Sequence, residues 1–349
     1  MEKFNSVVVL QLFLINFLYK DGNIMARVLA IGGAGFIGSH IVRLLLGQGH
    51  EVTVVDNFSR YGYIAYDFYT HPRFKLINKD IRDVSPDVFS GFDHILCLAA
   101  HVGGVRYLNM NPYSILRDNT DILMHAIDST ISSSPSAVFY FFSSSMVYER
   151  TINVEENREE QRMPSTSYGM QKLYGEHLVK YASSQQGLNY IIIRPFNAVG
   201  AGEIVEQSIE GRVIYGMSHV IPDFVHRALI KQSPFEILGD GSQVRIFTHV
   251  DDIAAAVAIM IEKGIKNDDF DICGRERLTM RELAKRVWTR VYKDIPFPGL
   301  KHLTKPNGDV SYMYGSYAKA RDRLGWEPAH GIDDMIDDTI GFIKGHLMI

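Results

Sequence analysis

Residues 30–40 read Ala30-Ile-Gly-Gly-Ala-Gly-Phe-Ile-Gly-Ser-His40. They join an apolar run, Arg27 to Ile31, to an amphipathic stretch, Gly38 to Gln48, in which Ile41, Leu44 and Leu45 share one face. The run predicts a short buried strand and the stretch a helix. Gly32, Gly35 and Gly38 form G-x-x-G-x-x-G at the junction. A tight turn needs one glycine, the approach of backbone to a pyrophosphate a second, and close packing of helix on strand a third. Free N–H groups at the helix start then face the phosphates. Three glycines alone could make a plain turn. Their place at the head of a strand–helix–strand unit gives them weight.

Glu51 to Val55 is the next strand, and Asp56 comes directly after it, 18 residues after Gly38. A carboxylate there can accept the ribose hydroxyls of NAD and would repel a 2′-phosphate. Arg60 leaves NADP open. Further strands are expected at Phe74 to Ile77, His94 to Ala99, Val138 to Phe142 and Tyr190 to Ile193, with helices at Asn119 to Ile131 and Ser167 to Ser184. Strands that are apolar throughout and separated by helices imply a parallel sheet covered on both faces. The alternation predicts an α/β chain with a doubly wound parallel (Rossmann) sheet. Past Pro195 the rhythm breaks. Gly200 to Met217 reads as loop, Ile221 to Lys231 as helix, and Asp251 to Lys263 as a helix that returns to the sheet. The expected division is an NAD-binding domain over 25–198, rejoined by 246–272, and a smaller α/β substrate-binding domain over 199–245 and 273–349.

The chain has 349 residues, 46% hydrophobic and 22% charged, with a net charge of -4 and no basic block. That balance argues against nucleic acid or an anionic membrane as partner. Only Cys97 and Cys273 occur, so no disulfide framework or zinc spacing is available. The thirteen histidines show no H-E-x-x-H pattern, and no metal is expected. Val7 to Tyr19 is mostly apolar but only 13 residues long, short of the about 20 that span a bilayer. Met25 is therefore the expected start, with residues 1–24 a dispensable extension, and the enzyme is expected in the cytoplasm.

Tyr168 and Lys172 make Y-x-x-x-K within the Ser167 helix, on one face. A free tyrosine, with a pKa of about 10, is a poor base at neutral pH. A nearby ammonium favours the phenolate, so the pair can shuttle a proton to and from a sugar hydroxyl. The spacing alone is weak, since Tyr174 and Lys180 lie in the same helix. It gains force from the strand Val138 to Phe142 before it, which ends in Ser143 and Ser144. Hydroxyls at the C-terminal end of a parallel strand face the ligand crevice.

Taken in order, the glycine turn, Val-Val-Asp56-Asn57, Asp80-Ile81, Ser-Ser-Ser-x-Val-Tyr148, Tyr168-x-x-x-Lys172, Arg194-Pro-Phe-Asn197, Gly239-Asp-Gly-Ser-Gln-Val-Arg245 and Leu324-Gly-Trp-Glu-Pro328 resemble the NAD-dependent epimerase/dehydratase family of extended short-chain dehydrogenases. The resemblance runs from Met25 nearly to the end. It implies NAD as cofactor, a nucleotide-diphosphate sugar as substrate, and a homodimer built on paired long helices, one of them carrying Tyr168. It makes Tyr168 the proton-transfer residue, Lys172 the holder of the nicotinamide ribose and Ser144 the catalytic hydroxyl. Gly32, Gly35, Phe36, Ile37, Gly38, Asp56 and Asn57 would hold the cofactor, with Asp80 and Ile81 flanking the adenine. Leu98, Ala99, Ala100, Asn119, Ser143 and Pro195 would lie beside it. Asn197 and Arg245 would bind the substrate diphosphate side, arginine suiting phosphate by its fork. Lys305 and Asp309 loosely match a late Arg-Pro-Gly-Asp, with one extra residue and lysine for arginine. His219 stands where an asparagine is frequent.

The branches of this family share the first oxidation and differ in the later steps. Dehydratases and decarboxylases usually place an acid just before the Val-Tyr pair, because elimination must protonate a leaving hydroxyl. Here Ser145 and Met146 stand there, and the cysteine common in 3,5-epimerases and fucose-synthase reductases is Met146. The reaction that needs no further base is 4-epimerisation through a transient 4-keto sugar. A 4,6-dehydratase and a GDP-sugar epimerase/reductase are the alternatives. His101-Val-Gly-Gly-Val105 with Asn111-Pro-Tyr resembles the loop of the latter and would make His101 a substrate ligand or acid. A non-catalytic NAD-sensing module would be expected to have lost Tyr168 or Lys172, and both are present.

Overall fold

The computed structural model describes residues 25–151, 162–203, 218–305, 310–313 and 315–347. The N-terminal extension, the greater part of the loop expected up to Met217, and Asp309 lie outside the described residues. The chain opens with β1 (Arg27–Ile31), α1 (Phe36–Gly47), β2 (Glu51–Asp56), β3 (Phe74–Asn78) and β4 (His94–Cys97). A short α2 (Val105–Met110) and the long α3 (Pro112–Ser133) lead to β5 (Val138–Phe142), α4 (Ser167–Gln186) and β6 (Asn189–Pro195). After the two-residue β7 (Ala198–Val199) come α5 (Val220–Leu229), β8 (Phe235–Leu238), β9 (Val244–Ile246), β10 (Thr248–His249), α6 (Val250–Glu262) and β11 (Asp268–Ile272). The last elements are β12 (Arg277–Thr279), α7 (Met280–Val291), β13 (Leu300–Leu303), β14 (Tyr312–Met313), α8 (Ala318–Leu324) and α9 (Ile332–Leu347).

Seven parallel strands form the main sheet in the order β11-β6-β5-β4-β1-β2-β3. Side chains alternate across a strand, and here both faces are dry. Val28 and Ala30 of β1 join Ile41, Leu45 and Val257 on one face. Leu29 and Ile31 join Leu123, Ile127 and Val179 on the other. That is why β1 is apolar at every position after Arg27. β4 is two residues shorter than its apolar run suggests. Leu98 and Ala99 both turn their N–H groups onto the Ile31 carbonyl at 2.9 Å, which starts a loop instead of extending the ladder. α3 begins earlier than Asn119 because Pro112 occupies its first turn, where the missing N–H costs nothing.

A second hydrophobic cluster gathers α5, α7 and α9 around β8. Phe235 is its centre, edge-on to Phe224 at 5.3 Å and to Trp288 at 6.3 Å. α6 and β11 then return to the main sheet. α6 packs along α1, and β11 pairs with β6 from Asp268↔Ile191 to Ile272↔Pro195. Trp326 pins the return, donating from Nε1 to the Asp252 carbonyl at 2.9 Å. Beside it, Asp251 bonds His40 of α1, while His330 bonds Asp252 and stacks on His249 at 4.0 Å. His249, Asp251 and His330 thus meet although no sequence spacing announced a cluster. Among the described residues, no helix is long and apolar enough to cross a membrane.

Phe235→Ala should cost about 3–5 kcal/mol, the range for emptying a buried aromatic site. Urea unfolding followed by circular dichroism measures it. A loss below about 1 kcal/mol would mean that the cluster around β8 collapses to fill the hole.

Candidate active site

Strand order reverses at β1, because β2 lies on one side of it and β4 on the other. The crevice beyond the C-terminal ends of these strands is where ligands bind in such sheets. A cleft of 650 Å³ opens there, within the usual range of about 300–1,000 Å³ for ligand sites.

The glycine turn forms one wall. Gly32 has φ +80°, and a Cβ on it would lie 2.8 Å from the Ala99 Cα. A Cβ on Gly38 would overlap the Gly32 carbonyl and lie 2.8 Å from the Gly33 Cα. No larger residue fits either position, so the backbone stays open to an approaching phosphate. Asp56 ties this turn to β2, accepting from the Ala34 N–H at 3.0 Å and the Phe58 N–H at 2.8 Å. Burial pushes its carboxyl up, and these two bonds hold it down. Asn57 donates to Asp80 at 3.0 Å, joining the ends of β2 and β3. Asp80 is drawn down to about 2, chiefly by its hydrogen bonds from the Arg82 guanidinium. Phe36, Ile37, Ile81, Leu98, Ala99 and Ala100 line the same part of the cleft. Arg60 lies over the Tyr61 and Tyr107 rings, at 5.3 and 5.5 Å. The acid, not the arginine, stands at the end of β2, and the set suits NAD with its free ribose hydroxyls.

Tyr168 and Lys172 enter the cleft from the first turns of α4, and Ser144 from the end of β5. The Thr166 side chain caps α4, accepting from the Gly169 N–H at 3.0 Å. Glu149 braces that end. It takes bonds from the Ser165 hydroxyl at 2.7 Å, from the Thr166 N–H at 2.6 Å and from the Thr166 hydroxyl at 2.5 Å. The expectation that Lys172 lowers the tyrosine pKa is not met. Burial dominates and pushes the Tyr168 phenol up to about 12, while its hydrogen bond with Ser144 acts the other way. Lys172 is equally dry, and burial brings it down to about 8. Its Nζ donates to the Phe142 carbonyl at 2.7 Å and lies 5.5 Å from the Tyr168 ring centre, so the ammonium is not spent on the phenol oxygen.

Ser143, Pro195, Asn197, Arg245 and His101 also line the cleft. Asn197 has φ +40° and donates from Nδ2 to the Ile246 carbonyl at 2.7 Å, which fixes its side chain at the cleft wall. Two sequence-based assignments change. Asn119 does not line the cleft. It is buried behind it, bonding the His101 N–H at 2.6 Å and the His101 carbonyl at 3.1 Å, and so holds the Gly-Gly loop in place. Lys305 is exposed at the end of β13, within 3.4 Å of the Ser311 hydroxyl, and outside the cleft lining. Sequence reading missed the far wall, where α5 contributes Asp223, Phe224 and Arg227 beside Gln243 and Met280. It also passed over His219 as a ligand. His219 lines the cleft, and Glu203 holds its Nδ1. The signal available was a helix with polar residues on an otherwise apolar face, and it carries no direction until the fold aims it.

The model of the NAD dependent epimerase/dehydratase family matches residues 28–273. Among curated relatives, a UDP-glucose 4-epimerase of Lactobacillus helveticus is 28% identical over 342 residues, covering 92% of this chain and 98% of that protein. A GDP-mannose 3,5-epimerase of rice is 26% identical over 324 residues, covering 91% and 82%. The crystal structure of UDP-glucose 4-epimerase from Thermotoga maritima, with UDP-glucose, superposes with a TM-score of 0.78 at 26% identity, covering 92% and 99% of the two chains. The glycine turn, the Asp56 carboxylate and the Tyr-Lys pair stand in one cleft, and the chain is an NAD-dependent enzyme belonging to the NAD dependent epimerase/dehydratase family.

Proposed function

We propose that this enzyme inverts C4 of a nucleotide-diphosphate sugar. The observation that carries the reading is the acid–base inventory beside Ser144. Ser145 and Met146 come next in the chain, and the first carboxylate after Tyr148, that of Glu149, is spent on Ser165 and Thr166. Among the described residues, therefore, no carboxylic acid stands beside Ser144 to expel a hydroxyl as water. NAD bound in this cleft would supply a reversible hydride acceptor. Tyr168, hydrogen-bonded to Ser144, takes and returns the 4-OH proton, and Lys172 orients the nicotinamide ribose. Gly32 to Gly38 and Asp56 hold the cofactor's pyrophosphate and ribose. Asn197 and Arg245 hold the sugar nucleotide's diphosphate while the 4-keto sugar turns over. In this reading 25–198 with 246–272 is the NAD-binding domain, and 199–245 with 273–349 binds substrate. Cys97 and Cys273, both buried and neither in a disulfide, suit a cytoplasmic enzyme.

His101 and His219, both in the cleft, favour a second reading as a GDP-sugar 3,5-epimerase, in which an imidazole removes a carbon-bound proton. One experiment separates the two. The protein is incubated in D2O with UDP-, GDP-, CDP- and dTDP-sugars. The 4-epimerase yields an isomer of unchanged mass, inverted at C4 by NMR. Deuterium at C3 or C5 would assign the second reading, and loss of water a dehydratase. Tyr168→Phe should lower kcat by about 10²–10⁴-fold while NAD still binds, as read by fluorescence titration.

We also propose a homodimer through α3 and α4. These helices pack side by side. They expose Tyr113, Leu116 and Met124 on one and Met170, Tyr174 and Tyr181 on the other, an apolar face of the kind that marks an interface. Tyr174→Glu with Met124→Glu should halve the mass found by sedimentation, whereas a wild-type monomer would remove the proposal.

A further inference from the structure

Beneath the Tyr168–Lys172 pair lies a buried ionic assembly with no part in the scheme above. Glu176 stands on α4, one turn beyond Lys172 and two beyond Tyr168, and is 1% exposed. Its Oε1 accepts from the Ser143 hydroxyl at 2.6 Å and from Arg194 Nε at 2.7 Å. Its Oε2 accepts from Arg194 Nη2 at 2.9 Å and lies 3.0 Å from Arg162 Nη1. Arg194, with no exposed surface, continues to Asp269 at 2.7 Å and Asp271 at 3.1 Å on β11. The Tyr148 hydroxyl donates to Asp271 at 3.2 Å, and Lys319 reaches Asp269 at 2.8 Å. Arg162, Arg194 and Lys319 thus face Glu176, Asp269 and Asp271, and Lys319 also pairs with Asp268 at 2.6 Å.

Stability alone does not call for such an assembly. Well-packed apolar residues often serve as well as buried ions, or better. What ions add is direction. A guanidinium fork fixes a carboxylate in plane and in angle. The fixed carboxylate grips Ser143, and the next residue carries the hydroxyl that bonds Tyr168. Glu176 therefore joins the end of β5 to the helix bearing both reacting side chains, at the depth where those side chains emerge.

We propose that Glu176 is the positioning residue of this active site, locking the Ser143–Ser144 turn to the Tyr168–Lys172 helix and supplying a negative field at Lys172. Burial brings Lys172 down to about 8, and the Cys97 sulfur and the Glu176 carboxylate oppose that fall. The groups facing Lys172 are Cys97 from β4, the Phe142 carbonyl and Phe141 ring from β5, and Tyr168 and Glu176 from its own helix. Burial pushes the Cys97 thiol up to about 12, so it is neutral over the working range, and Glu176 is the formal negative charge in this set. Without that charge the ammonium loses its proton at a lower pH, below about 8. The alkaline limb of kcat then moves downward in pH.

The inference rests on Tyr168 and Lys172 being the proton-transfer pair, so one readout uses no substrate. Full-length Glu176→Gln and Ser143→Ala proteins are compared with wild type by circular dichroism, by kcat and KM across pH, and by titration of Lys172 in 15N-lysine NMR spectra assigned with Lys172→Arg. Glu176→Gln should lower kcat by about a hundredfold, the cost of misplacing a reacting group, with KM little changed and Lys172 titrating at lower pH. Ser143→Ala keeps every ion pair. It should lower kcat and leave the pH profile in place. A merely structural role would reduce the folded fraction and leave the profile of the surviving enzyme untouched. Lys172 titrating at the wild-type pH in Glu176→Gln overturns the proposal. If that variant does not fold, unchanged kcat in Ser143→Ala overturns it. If no sugar nucleotide turns over, the functional reading fails and the Lys172 titration still decides this one.

Discussion

Everything in this active site depends on the reversal of strand order at β1. Strands β2 and β3 wind away on one side, and β4, β5, β6 and β11 on the other. The connections at the C-terminal ends therefore diverge, and they leave a gap that no side chain of the sheet can fill. The glycine turn, the serine turn and the Gly-Gly loop all border that gap. Their chemistry would be scattered if the sheet wound one way. The close contact of Gly38 with the Gly32 carbonyl seats α1 against β1 so tightly that the helix start faces the gap.

The cleft sets burial against charge. Tyr168 and Lys172 must be dry for their electrostatics to matter, and dryness disfavours the charged form of each. It raises the phenol and lowers the amine. The balance is adjusted from behind. Phe142 offers a carbonyl to the amine, Ser144 a hydroxyl to the phenol, and two arginines pair with the buried Glu176 behind them. A relay between a weak acid and a weak base works only while both stay close to the protonation states that the reaction exchanges.

The second hydrophobic cluster serves the first. Phe235 and its aromatic neighbours give α5 a firm seat, and α5 presents Asp223 and Arg227 to the far wall. β11 and α6 cross back to close the main sheet, so the two clusters share chain and cannot drift apart freely. That crossing also brings Asp269 and Asp271 to Arg194, far apart in sequence but paired beneath the serine turn.

The strands and helices of the main sheet were legible in the sequence because each is a local pattern. Apolar runs bounded by turns, a 3.6-residue period and a glycine trio all act within a dozen residues. The cofactor side was legible for the same reason, since Gly32, Gly38 and Asp56 belong to one strand–helix–strand unit. Tyr168 and Lys172 stood out as candidates because four residues put them on one helix face, and Ser144 entered through the family resemblance. What the sequence could not state was direction across long separations. Asn119 turned out to bind the backbone of His101 instead of the cleft, and Lys305 fell on an exposed rim. The Glu176–Arg194 assembly draws on β5, α4, β6 and β11, whose residues meet only when the sheet is complete. By itself, then, the sequence determined the fold class and the cofactor, since these rest on short-range geometry and residue chemistry. The tertiary structure alone decided which polar side chains face ligand and which are spent on one another, because burial and hydrogen-bond partners exist only once distant segments have packed.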